Sequence, residues 1–421
     1  MNLAVAPALQ HNHPDSTRMT IKLPALKLRI TPPAESAVRD GHPWIFSNSI
    51  TKQNRDGVSG EYAVVYDRNN EFLCIGLYDP FSPLRVRVLH AGKPITLDGA
   101  WWRARFERAL RLRTDLATPQ TTGFRYCNGE SDGWPGFVLD RYDTTLVIKL
   151  YSTAWFSHLN RLLELIVDRL APESIVLRLS RNIQQTAEEA GLADGQVSFG
   201  PPIQKPVTFF ENGLLFHADV IRGQKTGFFL DQRENRKKVQ GLAEHRDVLN
   251  VFSFAGGFSL YAAAGGARSA TDLDISRHAL EQAKQNFGLN QSDSNVARCE
   301  HYVIQADAFE WLENPSPASY DLIVLDPPSM AKKEIERTEA IRAYGHLVKQ
   351  ALLRLRKQGI LVAASCSAHV SAEEFFEAIQ AAIRRSRRTF EVLKTTRHPQ
   401  DHPAAFREAS YLKCLYARIS D

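Results

Sequence analysis

The sequence predicts an α/β protein with a C-terminal parallel sheet, an N-terminal β-barrel and a central α+β domain. Three observations carry this prediction. From about residue 210 onward, nearly continuous apolar runs alternate with amphipathic helices, as expected for strands that are buried on both faces. From residue 21 to about 95, short segments alternate apolar and polar residues between turn formers, which is typical of a small barrel. Residues 100 to about 206 mix helical and strand patterns.

The chain is therefore divided into four predicted segments. Residues 1–22 are expected to be a disordered tail, because a short apolar patch is followed only by polar residues and proline. The barrel is predicted over 23–95, the central domain over 96–208 and the C-terminal domain over 209–421. A length of 421 residues agrees with several domains, since a single core stops growing at shorter lengths.

Composition limits the classes of function. The net charge of +5 permits a polyanionic partner but does not require one. The five cysteines are scattered and include no C-x-x-C pair, so neither a disulfide framework nor a metal site is expected, in keeping with a cytoplasmic protein. No apolar run approaches the ~20 residues that cross a bilayer, so no membrane association is expected. The oligomeric state is left open, with a homodimer among the options.

Several features lie at the carboxyl ends of the predicted parallel strands, where an open α/β sheet binds its ligands. A strand over residues 248–254 runs into Phe254, Gly256 and Gly257, and the glycines allow a ligand to approach the backbone closely. The next strand ends at Asp274, where a carboxylate can take ribose hydroxyls. A third ends at Asp307, placed to meet an adenine amino group. Each feature alone is also explained as a turn glycine or a helix cap. Because the features follow three successive strands in this order, they together favour a nucleoside cofactor.

Two further strand ends carry groups suited to chemistry on a base. The fourth strand ends in Asp326-Pro327-Pro328, where the prolines force an extended exit and hold the carboxylate at the sheet edge. A rigid turn is the structural alternative. The fifth strand leads to Cys366, whose thiolate can act as a nucleophile if its pKa is lowered.

A polar segment over residues 223–238 precedes the sheet and contains Thr226, Gln232 and Arg233. We interpret these side chains as cofactor contacts, with Arg233 placed to bind a carboxylate. A solvated helix start is the alternative. In the barrel, Arg85 and Arg87 fall on one face of a strand, where a plain solvated face is the favoured interpretation.

These strand ends together resemble the class I S-adenosylmethionine (SAM)-dependent methyltransferases. More narrowly, the chain is similar to the bacterial large-subunit ribosomal RNA cytosine-C5 methyltransferases over nearly its whole length after residue 22. The motifs that carry the resemblance are residues 41–46 (GHPWIF), 129–136 (GESDGWPG), 225–227 with 230–233, 248–258, Asp274, 305–307, 326–328, 365–367, 401–403 and 411–413. The set is specific, although no single motif is.

The resemblance implies a PUA domain that binds RNA, a central domain and a Rossmann-like catalytic domain with an added hairpin, for which 389–396 and 411–419 are suited. It implies that Asp274 holds the SAM ribose, Asp307 the adenine, and the turn at 254–257 the methionyl portion. Cys366 would be the nucleophile and Asp326 the group that engages the cytosine ring. Ribosomal RNA would be the partner, with Trp44, Arg85 and Arg87 as RNA-contact candidates.

The chemistry explains these residue types. Carbon 5 of cytosine is too weakly nucleophilic to take a methyl group, and addition of a thiolate at carbon 6 activates it. Many other RNA cytosine-C5 enzymes carry a second cysteine after the Asp-Pro motif, where this chain has Pro327-Pro328-Ser329, as in the narrower family. The base that takes the carbon-5 proton is not identified.

Two other functions fit parts of the sequence. A base N-methyltransferase acting on guanine or adenine also uses Asp-Pro-Pro beside SAM but needs no cysteine, so Cys366 favours C5 chemistry. A non-catalytic RNA-binding protein needs no acidic residues at three successive strand ends.

Overall fold

A computed structural model describes residues 24–314 and 318–420, and the predicted tail over 1–22 lies outside these ranges. The chain forms two compact units, described separately here. The first contains residues 24–117 together with Gly123–Val207 and Ala218–Phe228. The second contains Thr118–Thr122, Thr208–His217 and the residues from Phe229 onward.

The first unit begins with a six-stranded sheet in the order β2-β6-β5-β4-β1-β3. Its elements are β1 (Leu26–Ile30), α1 (Pro32–Arg39), β2 (Trp44–Phe46), β3 (Ile50–Gln53), β4 (Tyr62–Tyr66), β5 (Phe72–Tyr78) and β6 (Leu84–Ala91). The two edge strands, β2 and β3, are joined by only the short 3-10 turn Ser47–Ser49. Six strands laid flat would separate these edges by more than 20 Å, roughly twice the reach of such a turn. The sheet therefore curls into the predicted barrel.

A second, five-stranded sheet in the order β11-β10-β9-β8-β7 completes this unit. Its elements are α2 (Gly99–Arg111), β7 (Gly123–Asn128), β8 (Phe137–Tyr142), β9 (Thr145–Leu150), α3 (Leu159–Leu170), β10 (Ser174–Leu179), α4 (Gln184–Glu189) and β11 (Gln196–Phe199). Its core contains Trp102, Trp134 and Trp155, whose ring centroids lie 5.2–6.2 Å apart. Leu77 and Leu89 of the barrel belong to the same buried cluster. The barrel also has a buried cluster of its own, which includes Leu26, Val65 and Val86, so Leu77 and Leu89 join its far side to the core of the central sheet.

The second unit is built on a seven-stranded sheet in the order β16-β15-β14-β17-β18-β20-β19. Its elements are β12 (Val207–Glu211), β13 (Leu214–Ala218), α5 (Arg233–Gln240), β14 (Asp247–Val251), α6 (Gly257–Ala264), β15 (Ser269–Asp274), α7 (Arg277–Leu289), α8 (Ser294–Arg298), β16 (Glu300–Gln305), α9 (Ala308–Glu313), β17 (Tyr320–Leu325), α10 (Arg337–Arg354), β18 (Leu355–Ser365), α11 (Ala372–Arg385), β19 (Phe390–Thr396) and β20 (Lys413–Ile419). Strands β14–β18 are parallel, and β19 and β20 form an antiparallel pair beside β18. The predicted α/β fold and its added hairpin are confirmed.

The strand order changes direction at β14, which makes its carboxyl end the expected ligand site. The strand ends at Val251, three residues earlier than predicted, because Phe252 and Phe254 have left-handed backbone conformations with φ of +61° and +47°. Such φ values are rare for bulky residues, and they mark a tight turn whose conformation is held by the surrounding structure. No helix in the described part of the chain is long and apolar enough to cross a membrane.

Candidate active site

The turn after β14 is held by a buried carboxylate that the sequence prediction did not single out. Asp272 Oδ1 accepts hydrogen bonds from Asn250 Nδ2 at 2.9 Å and Ser259 Oγ at 2.5 Å. Gly256 lies against it with φ +70°, and a Cβ there would approach Asp272 Oδ2 and Ala283 Cβ to 2.8 Å. Only glycine fits, so the backbone of this turn is fixed in place.

Asp274 lies at the end of β15 and contacts this turn directly. Its Oδ2 accepts a hydrogen bond from the Phe254 N–H at 2.9 Å, and its Oδ1 accepts one from the Ser276 N–H at 2.8 Å. The N-cap of α7 is Ser276, whose Oγ accepts from the Ala279 N–H, so Asp274 is not needed as the cap. A carboxylate has about four acceptor positions, which leaves Asp274 with capacity for a diol.

Asp307 follows β16 and is the N-cap of α9. Its Oδ1 accepts hydrogen bonds from the backbone N–H groups of Phe309 at 2.8 Å and Glu310 at 3.2 Å. The cap interpretation from the sequence is therefore correct for one oxygen. This does not exclude a ligand contact, because the half-buried carboxylate has a second oxygen.

Two further features of this edge fit a nucleoside cofactor. Ile275, the residue after Asp274, exposes 66% of its surface and offers an apolar face to a flat ring. Ser253 Oγ is buried and has no hydrogen-bond partner within the described chain. A buried hydroxyl without a partner in the chain is costly, so its partner is expected to be water or an atom of a bound ligand. Neither residue was predicted, although Ile275 directly follows Asp274 and Ser253 directly precedes Phe254 in the sequence.

Asp326 and Cys366 lie together one strand away. Cys366 Sγ lies 4.0 Å from the carbonyl oxygen of Pro327, the residue after Asp326. Asp326 Oδ1 accepts a hydrogen bond from Gln232 Nε2 at 2.9 Å, and Gln232 Oε1 accepts one from Asn235 Nδ2 at 2.6 Å. The buried amide of Gln232 orients the Asp326 carboxylate, and its predicted cofactor contact stays a prediction.

Cys366 differs from the other cysteines in its exposure. Cys74, Cys127, Cys299 and Cys414 are buried, whereas Cys366 is half-exposed. Burial raises the pKa of the Cys74 and Cys299 thiols to about 12, which leaves them unreactive at neutral pH. Cys366 is thus the one accessible thiol. No group of three or more His, Cys, Asp or Glu side chains within residues 24–314 and 318–420 is arranged to hold a metal ion.

Two of the predicted cofactor contacts have structural roles instead. The Arg233 guanidinium donates two hydrogen bonds to the Asp401 carboxylate, at 2.8 and 3.0 Å, and both side chains are buried. Thr226 belongs to the other unit, where its buried Oγ1 donates to Asp140 Oδ2 at 2.6 Å and lies 2.8 Å from the Tyr142 hydroxyl. Neither side chain is available to a carboxylate of SAM.

The predicted RNA contacts in the barrel are corrected in part. Arg87 is buried and donates from Nη1 to Glu130 Oε1 at 2.6 Å, and Trp44 Nε1 donates to the same oxygen at 2.8 Å. Arg87 is therefore not on a solvated face, and both side chains fix the barrel to the central sheet. Arg85 is half-exposed, and its guanidinium donates to the Pro80 carbonyl oxygen.

The chain matches two family models. The model of the S-adenosylmethionine-dependent methyltransferases matches residues 195–416, and that of a PUA-like domain matches residues 28–91. Among solved structures, a Streptococcus mutans SAM-dependent methyltransferase (TM-score 0.78) and a methyltransferase complexed with SAH (TM-score 0.79) share the fold. Each is 21% identical and is matched over 93% of this chain and 99% of its own.

Curated relatives are more similar. A "Ribosomal RNA large subunit methyltransferase" of Deinococcus radiodurans is 57% identical over 403 residues, covering 94% of this chain and 98% of the relative. A "Ribosomal RNA large subunit methyltransferase I" of Alteromonas mediterranea is 32% identical, covering 93% and 98%. The predicted dependence on SAM is confirmed by these matches. The chain therefore belongs to the S-adenosylmethionine-dependent methyltransferases, in the family of the ribosomal RNA large subunit methyltransferases.

Proposed function

We propose that this enzyme methylates carbon 5 of a cytosine in large-subunit ribosomal RNA, in the cytoplasm, through a covalent adduct with Cys366. The observation that carries the proposal is the pairing of an accessible thiol with an oriented carboxylate. Cys366 contacts the segment that begins at Asp326, and both follow strands on the same side of β14. A nitrogen methyltransferase has no use for a thiol at this place.

The Cys366 thiolate adds to carbon 6 of the ring, which makes carbon 5 an enamine-like nucleophile. Bound SAM supplies the electrophilic methyl group that carbon 5 attacks. Asp326, held by Gln232, hydrogen-bonds or protonates the ring edge as negative charge develops there. Loss of the carbon-5 proton to a base then restores the ring and releases the thiolate.

For the cofactor, we propose that Asp274 binds both ribose hydroxyls and that Asp307 accepts from the adenine amino group. Ile275 would cover one face of the adenine ring, and the backbone from Phe254 to Gly257 would meet the methionyl portion. The support is that these residues follow β14, β15 and β16, three adjacent parallel strands whose carboxyl ends share one edge.

Replacing Asp274 with alanine is expected to weaken SAM binding by about 2–3 kcal/mol, the range for charge-assisted hydrogen bonds. Isothermal titration calorimetry measures this directly. Ser276→Ala is the matched control, because it removes the cap of α7 and leaves the carboxylate in place. Equal SAM affinity in Asp274→Ala and Ser276→Ala would show that the carboxylate acts only in the fold.

For RNA binding, we propose Phe81 as a further contact of the barrel, beside the half-exposed Trp44 and Arg85. Phe81 is 73% exposed on the turn between β5 and β6, and its N–H donates to Asp79 Oδ1 at 3.1 Å. Asp79 is buried and accepts from Ser152 Oγ at 2.7 Å and Thr153 Oγ1 at 3.1 Å. A rigid turn that presents an aromatic face is suited to stacking on an unpaired base.

Phe81→Ala is therefore expected to weaken binding of ribosomal RNA fragments by about 1–3 kcal/mol, with an unchanged salt dependence because no charge is lost. Fluorescence anisotropy at several salt concentrations tests this. Val58→Ala is the control, since Val58 is also an exposed apolar residue of this unit but has no aromatic face. An RNA affinity of Phe81→Ala equal to that of Val58→Ala would refute the stacking role.

A further inference from the structure

Lys413 has a buried ammonium group beside the loop that carries Cys366. It is the first residue of β20, and only 1% of its surface is exposed. Its Nζ donates to the carbonyl oxygens of Ser367, Val370 at 2.5 Å and Tyr411 at 3.1 Å. All three donors of the ammonium group are therefore used by main-chain oxygens, two of which belong to the loop after β18.

The positive charge of Lys413 lacks the carboxylate partner that Arg233 and Arg236 have, and in this it is like Arg354, whose guanidinium also donates to main-chain oxygens. Arg233 and Arg236 in the same unit are buried as deeply, and each forms a two-point ion pair with a carboxylate. No carboxylate oxygen of the described residues lies within ion-pair distance of Lys413 Nζ. Burial without a counter-ion lowers the pKa of Lys413 to about 8. Burying a charge without a counter-ion costs free energy of folding, which indicates that the charge of Lys413 has a function.

Two titratable groups raise the pKa of Lys413 through space, Cys366 and Glu373. Glu373 is 74% exposed and forms an ion pair with Arg397 at 2.7 Å, so solvent and that arginine already balance its charge. Cys366 follows Ser365, which pairs directly with Lys413 across β18 and β20. Cys366 is thus flanked by two residues that Lys413 contacts, Ser365 by strand pairing and Ser367 through its carbonyl oxygen.

We propose that Lys413 is a positioning residue that stabilises the thiolate form of Cys366 and fixes the loop from which it acts. The inference rests on the proposed nucleophilic role of Cys366 and adds the source of its activation. Lys413 keeps its proton throughout: it offers a fixed positive charge to the free thiolate before addition and again after elimination. No proton transfer between the two side chains is required.

The test measures the reactivity of the thiol apart from methylation. The rate of iodoacetamide alkylation at Cys366, mapped by mass spectrometry, is followed from pH 5 to 10 in the full-length protein. In Lys413→Gln, which keeps a donor for the loop carbonyls, we expect alkylation at pH 7 to be about tenfold slower, with the pH of half-maximal rate about one unit higher. Lys413→Arg keeps the charge and should restore a profile near that of wild type.

Ser367→Ala is the matched control for loop position. It removes the neutral hydrogen bond from Ser367 Oγ to the Ala331 carbonyl oxygen, at 2.9 Å, without changing any charge. Its alkylation profile should remain that of wild type. SAM calorimetry shows that each variant is folded, and Lys413→Met serves as a second neutral variant if Lys413→Gln does not fold.

An unshifted profile in the neutral variants would overturn the inference, and so would an equal shift in Ser367→Ala. Failure of the proposed function is distinguished by a separate measurement. If wild-type enzyme formed no covalent adduct with RNA while the neutral variants still shifted the alkylation profile, the electrostatic inference would stand and the C5 mechanism would fall.

Discussion

Cys366→Ala is expected to abolish methylation, with a rate loss of at least about a thousandfold, equivalent to about 4 kcal/mol of activation free energy. The reason is that no other group replaces the thiolate at carbon 6, and the four remaining cysteines are buried. SAM affinity should stay near that of wild type, because the thiol acts on the base. Single-turnover methylation and calorimetry on the same preparation measure the two quantities.

Trapping gives this prediction a direct readout. Wild-type enzyme given RNA with 5-fluorocytosine at the target should stall as a covalent adduct, because fluorine cannot leave as a proton does. Cys366→Ala should form no adduct. An active alanine variant, or a product methylated on nitrogen, would contradict the C5 mechanism and favour a guanine or adenine N-methyltransferase.

The largest effect on folding is expected at Arg233. Arg233→Met leaves the Asp401 carboxylate buried without its two-point partner, and such a loss costs about 3–5 kcal/mol of unfolding free energy. Chemical denaturation followed by circular dichroism measures it. In the double variant Arg233→Met/Asp401→Leu, part of the loss should be recovered, because neither charge of this pair remains buried, although His402 also loses its contact with Asp401 at 3.1 Å.

Arg342→Met is the control for this measurement. Arg342 forms an ion pair with Glu339 on an exposed helix surface, where a pair contributes only about 0–1 kcal/mol. A loss at Arg233 no greater than at Arg342 would mean that the Arg233–Asp401 pair does not hold the fold. In that case, SAM calorimetry on Arg233→Met would again test whether Arg233 contacts the cofactor.

Periodicity was sufficient to predict the C-terminal sheet, because strands buried on both faces leave continuous apolar runs whatever their order. It was not sufficient to show that Leu77 and Leu89 of the barrel pack into the core of the central sheet. Leu77 and Trp134 lie in one cluster, yet each follows the pattern of its own element. Contacts between distant segments leave no local periodicity, so the two predicted domains appeared separate.

In the candidate site, too, local features were predictable and contacts between distant segments were not. Asp274, Asp326 and Cys366 were predictable because a strand end fixes where a residue lies. The roles of Arg233 and Arg87 were not predictable, because an arginine can bind either a ligand or a carboxylate of the protein. Which of the two it binds depends on a residue that is distant in the sequence. The partner of Arg233 is Asp401, 168 positions later, and the partner of Arg87 is Glu130.

The division of the chain between its two units has a consequence for synthesis on the ribosome. The chain passes from one unit to the other five times, after Ala117, Thr122, Val207, His217 and Phe228. The first unit therefore lacks its last segment until Phe228 has left the exit tunnel, long after its sheets have been translated. The second unit has to recover Thr118–Thr122, a segment made about a hundred residues before its main body. The nascent enzyme cannot finish one unit before it begins the other, and no single protease cut would release either unit intact.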